Sequence, residues 1–110
     1  MSRGLALLIL FICACLEAGG DALFRRGMHS SPTSTRAVLY LSAGVVLFAY
    51  GWLVNRPPWS FGSLLGVYIV LFFVVAQAMS WAVFGERPAA HILIGGALIV
   101  TGGLVIAARA

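Results

Sequence analysis

Glu17 is the residue best placed to do chemistry. It lies about 12 residues into an apolar stretch that opens at Leu5, roughly 18 Å along a helix rising 1.5 Å per residue. A carboxylate inside hydrocarbon costs at least about 2.5–3.5 kcal/mol, and such residues face a bundle interior and mark ion or substrate paths. A Glu so placed can take up a proton and release it to a cation. The bland alternative is a protonated Glu that ties two helices together by a hydrogen bond. Asp21 follows four residues later and Arg25 four after that, all on one helical face. The favoured reading is an interfacial Asp21–Arg25 pair; the other makes Asp21 a second proton or cation station. Tyr68 and Gln77 lie deep in a later apolar stretch. They line a cation site, because aromatic faces attract cations, or they serve as interhelical glue. Cys13, Ala14, Ala18 and Gly20 surround Glu17 with small residues, which leave room for a ligand or let a second helix approach closely.

The elements that must position these residues are membrane spans. The chain has 110 residues, of which 62% are hydrophobic and 9% charged. Soluble domains carry roughly 25% charged residues, so this chain lacks the means to cover a water-facing surface. A span needs about 20 apolar residues, and four such stretches occur: 5–24, 37–54, 61–84 and 89–108. Each is apolar all round, whereas barrel strands alternate over about ten residues. The expectation is therefore an all-α, four-transmembrane-helix bundle forming a single membrane domain over 1–110. The loops are short, so consecutive spans are expected to pack as antiparallel neighbours. Arg3 and Leu5–Leu16 resemble the start of a signal peptide, but the apolar stretch runs on to Phe24 and three more follow, so a retained span is expected.

All seven basic residues are Arg, and each sits at or near the end of an apolar stretch. That fits interfacial anchoring and not the basic stripe of a nucleic-acid surface. Arg3, Arg56 and Arg109 fall on one side of the membrane; Arg25, Arg26, Arg36 and Arg87 fall on the other. With the terminal amine the count is even, so the positive-inside rule sets no orientation. Either the orientation is simply not encoded in the charges, or the protein inserts both ways.

Gly95 and Gly102 are seven apart in the fourth stretch, as are Gly96 and Gly103. Seven residues approximate two turns, so each pair forms a ridge suited to close helix contact. A ridge this long on the last helix is expected to meet a second chain. Gly62 and Gly66 form a shorter pair in the third stretch. Cys13 and Cys15, two apart on one helix, do not face each other and read as small apolar residues. His91 has no second ligand at metal spacing, and no nucleophile motif, phosphate loop or haem signature occurs. No metal, cofactor or enzymatic activity is expected.

On these residues the chain resembles the small multidrug resistance family, within the drug/metabolite transporter superfamily, over nearly its whole length. The matching features are Glu17 in Cys15-Leu16-Glu17-Ala18-Gly19-Gly20, the segment Ser80–Glu86, the Gly-Glu-Arg-Pro turn at Gly85–Pro88 and the Gly-x6-Gly ridge. The family's usual Gly pair is missing near Val70–Phe72, its site Trp aligns near Tyr68, and Asp21 is an additional acid. Gly66-Val67-Tyr68 instead resembles a divergent branch. The resemblance implies a bacterial inner-membrane antiporter that exports small or hydrophobic cations against protons. It also implies a dimer of oppositely oriented chains, with both copies of Glu17 in one alternating-access site. Spans one to three would form the site and the fourth would hold the dimer, whether a homodimer or a heterodimer with a sister chain. Two other hypotheses stand beside it: a lipid-linked metabolite flippase subunit, and a non-transporting membrane assembly partner.

Overall fold

A computed structural model describes residues 1–109. They form four helices: α1 Arg3–Met28, α2 Thr33–Val54, α3 Phe61–Phe84 and α4 Ala90–Ala107. All four are long and apolar enough to cross a membrane, and no strand occurs among the described residues. The chain is thus an all-α, multi-pass membrane protein.

Local chemistry explains the helix ends. The Ser2 hydroxyl accepts from the Leu5 amide at 3.1 Å and caps α1. α1 continues through Arg25 and Arg26, beyond the expected end at 24. Arg is a good helix former, and basic residues in the last turn complement the helix dipole. At 26 residues, α1 outruns the roughly 30 Å of hydrocarbon and carries both guanidinium groups toward the interface. α2 begins at Thr33, earlier than 37, because Pro32 at its cap lacks only an amide that no helical carbonyl needs. α3 is capped at its start by the Ser60 hydroxyl. It is closed by Gly85 at φ 68°, where the amides of Gly85 and Glu86 reach back to the carbonyls of Trp81 and Ser80. Only glycine adopts that left-handed conformation without strain.

The helices do not all pack in chain order. α1 packs against both α2 and α3; α4 packs its backbone against α3, and the Arg3 guanidinium of α1 reaches the Ala107 carbonyl near its end. α2 and α3 are consecutive but their backbones do not meet, contrary to the expectation from short loops. The lateral order is α2–α1–α3–α4, in a slab of 49 × 34 × 18 Å. The cause is the small-residue surface of α1. Ala6, Ala14, Ala18, Gly20 and Gly27 are buried there, and they let a neighbour approach on each side. A Cβ at Gly20 would meet the Leu47 side chain at 2.6 Å, and one at Gly27 would meet Tyr40 at 2.8 Å. The core runs through Leu10, Cys13, Ala14, Val54, Leu64, Val67 and Tyr68.

The glycine ridges of α4 are divided. Gly96 and Gly103 are buried within the chain, against Phe73 and Val70 of α3. A Cβ at Gly95 or Gly102 would meet nothing within 4 Å. The expectation that both ridges meet a second chain is therefore corrected for Gly96 and Gly103, which α3 already occupies. α2 turns Val38, Leu41, Val45, Phe48 and Trp52 outward, at the spacing of a lipid-facing stripe.

Candidate membrane-embedded acidic site

Glu17 lies just past the midpoint of α1, and its half-buried side chain faces α3. There the hydroxyl of Tyr68 donates a hydrogen bond to Glu17 Oε1 at 2.8 Å. Tyr68 is itself buried, in the α3 face that packs on α1. Its ring lies 5.8 Å from that of Tyr50 on α2 and 6.0 Å, stacked, from that of Phe72 one turn along α3. Cys13 is fully buried one turn from Glu17 on the same face of α1. The free thiol of Cys15 points elsewhere and is exposed.

The site is thus assembled from α1, α2 and α3. The backbones of α2 and α3 stand apart, and Tyr50 and Tyr68 close that gap over α1 at the level of Glu17. The carboxyl therefore has one fixed polar partner and aromatic groups close by, in a region that lipid surrounds. When ionised it accepts from the Tyr68 hydroxyl. When protonated it has a donor of its own. A cation arriving there would find a carboxylate and the faces of aromatic rings.

Asp21 is not paired with Arg25, which corrects the favoured sequence reading. The Arg25 guanidinium reaches Glu86 Oε1 at 3.2 Å and lies 4.9 Å from the centre of the Phe84 ring. Asp21 lines a small crevice of about 160 Å3 between α1 and α3, together with Ala18, Phe72, Ala76 and Ser80, and Arg25 lines the same crevice without pairing with it. Phe72 touches both places: it stacks on Tyr68 and forms part of this crevice. Asp21 therefore lies one turn beyond Glu17, on the route from the site to the end of the bundle that holds Arg25 and Glu86.

Gln77 is not brought to Glu17. Nine residues separate it from Tyr68, and at 3.6 residues per turn that places it about half a turn round α3. Phe72 and Tyr50 are the site residues that sequence reasoning missed. Phe72 carried a signal, being four residues from Tyr68 on one face. Tyr50 carried none, because its place depends on α2 and α3 straddling α1. Trp52 sits where an interfacial aromatic is expected, with the Arg56 guanidinium 3.5 Å from its ring centre.

No protein-family model matches the chain, and no solved structure matches it. A UPF0060 membrane protein from Herpetosiphon aurantiacus is 30% identical over 101 residues, covering 89% of this chain and 89% of the relative. On that likeness the chain belongs to the UPF0060 family of membrane proteins.

Proposed function

We propose that the protein is a subunit of a small proton-coupled transporter that exports small or hydrophobic cations across the bacterial inner membrane. One observation carries the reading: a carboxyl at mid-span that accepts from the Tyr68 hydroxyl at 2.8 Å, the Tyr68 ring lying in turn 5.8 Å from that of Tyr50 and 6.0 Å from that of Phe72. An acid serving only as glue also needs just one partner; what favours transport is that this carboxyl is only half-buried, which leaves it open to a proton or cation, with aromatic rings nearby that attract cations.

The working unit in this reading is a dimer, by the resemblance to small multidrug resistance proteins. A single slab 18 Å thick leaves Glu17 half-covered. A second chain, inverted or parallel, would complete the enclosure and add its own Glu17. Gly95 and Gly102, open on α4, supply a surface for close approach. Asp21, in its crevice beyond Phe72, serves as a second proton station between Glu17 and the bundle end.

The test is reconstitution into liposomes with proton-flux recording across a panel of organic cations and lipid-linked sugars. The native protein should move protons against at least one cation, and Glu17→Gln should abolish that flux while the protein stays folded. Flux that survives Glu17→Gln would overturn the reading. Proton-independent movement of lipid-linked sugars would favour the flippase alternative, and absence of flux with every compound would favour an assembly partner.

A further inference from the structure

At the end of the bundle that holds the loops 29–32 and 85–89, a cleft of about 610 Å3 opens between α2 and α3 above the last turn of α1. Its floor is Arg25, Arg26, His29 and Ser30; its walls are Leu39 of α2 and Val83 and Phe84 of α3. We infer that this cleft is a binding site for the phosphate headgroup of an anionic phospholipid. This inference does not depend on transport by Glu17.

The charge at the cleft is one-sided. Glu86 pairs with Arg25, but no carboxylate pairs with Arg26 among the described residues. The Arg26 guanidinium spends one hydrogen on the Val83 carbonyl at 3.1 Å and lies 5.7 Å from the centre of the Phe84 ring. Those contacts fix its plane and leave other N–H groups to address phosphate oxygens, which a guanidinium binds well. Arg36 lies at the same end, its guanidinium reaching the Tyr40 hydroxyl at 3.3 Å. The carbonyls that end α1 would repel an anion if bare. Two of them are occupied: the His29 and Ser30 amides reach the carbonyls of Arg26 and Gly27, and the Ser30 hydroxyl also donates to the Arg26 carbonyl.

Depth selects a lipid over free phosphate. Arg26 lies nine residues beyond Glu17, so roughly 13 Å along the helix, close to the edge of a hydrocarbon core about 30 Å thick. The basic floor thus stands at headgroup level, and the apolar walls at Leu39, Val83 and Phe84 suit the acyl chains that follow a headgroup. Basic pockets between spans are where anionic headgroups bind.

The experiment is native mass spectrometry of the purified full-length protein, delipidated and then given an equimolar mixture of dioleoyl-phosphatidylglycerol and dioleoyl-phosphatidylcholine. The expected result is roughly a fivefold preference for the glycerol lipid, the order of one basic side chain acting at a membrane surface. Arg26→Gln should erase most of it, and Arg56→Gln, at the opposite end, should leave it intact. Val83→Trp keeps every charge but crowds the cleft wall beside Arg26, and should weaken the preference as well. Equal retention of the two lipids by the native protein would overturn the proposal, with no variant needed. So would an equal loss in Arg56→Gln, or a preference that Val83→Trp leaves unchanged. A competition arm with millimolar inorganic phosphate tells the two phosphate sources apart: lipid retention that persists supports the lipid site, and displacement by phosphate alone overturns it.

Discussion

Replacing Gly103 with alanine pits two effects against each other, and the structure decides which wins. Alanine is the better helix former, by about 1 kcal/mol. At Gly102, one residue earlier, the new methyl meets nothing within 4 Å, so Gly102→Ala should keep that gain or be neutral. At Gly103 the same methyl would fall 1.8 Å from Val70 Cγ2 and 3.2 Å from Val70 Cβ. Val70 is β-branched, with little rotamer freedom in a helix, so α3 and α4 must move apart. Overpacking of this kind costs about 1–3 kcal/mol, which exceeds the propensity gain. The two neighbouring substitutions should therefore differ by roughly 1–3 kcal/mol, with Gly103→Ala the less stable. Reversible unfolding in mixed detergent micelles, followed by far-ultraviolet circular dichroism, measures both. If Gly103→Ala were as stable as Gly102→Ala, the packing of α4 on α3 through Gly96 and Gly103 would be refuted.

Gly102→Leu should break dimers seen by crosslinking in vesicles while the helical content of the chain is kept; intact dimers would mean that α4 associates through another face. Tyr68→Phe removes the hydroxyl partner of Glu17. A hydrogen bond to a charged group is worth about 1.5–3 kcal/mol, so proton-coupled flux in liposomes should fall roughly tenfold or more, and an unchanged flux would detach Tyr68 from the site. Asp21→Asn should slow that flux without abolishing it, and a flux equal to the native one would remove Asp21 from the proton route. Glu86→Gln breaks an ion pair whose side chains are 57% and 50% exposed. Its unfolding free energy should change by less than about 1 kcal/mol, and a larger change would show that the pair closes the bundle end.

Much of this protein is written in its sequence because lipid leaves a chain few options. With no water to satisfy backbone amides inside the bilayer, four apolar stretches of span length must be helices. The stretch 61–84 is the range that α3 occupies, with Ser60 and Gly85 as the caps at its two ends. Glu17 was equally legible, since a carboxyl amid apolar residues stands out by its energetic cost. Where the sequence misled, it did so for local reasons: Arg25 and Arg26 extend α1 beyond 24, and Pro32 caps α2 so that it starts at Thr33, before 37.

Lateral arrangement was another matter. A helix that is apolar all round gives no sign of which face meets lipid and which meets a neighbour, because both surroundings are equally apolar. Hence only the tertiary structure could put α1 between α2 and α3, bring Tyr50 to Tyr68, and turn Arg25 to Glu86 in place of Asp21. The glycines of α4 show the same division. Their spacing announced close contact, and packing alone decided that Gly96 and Gly103 would be used by α3 while Gly95 and Gly102 stay open.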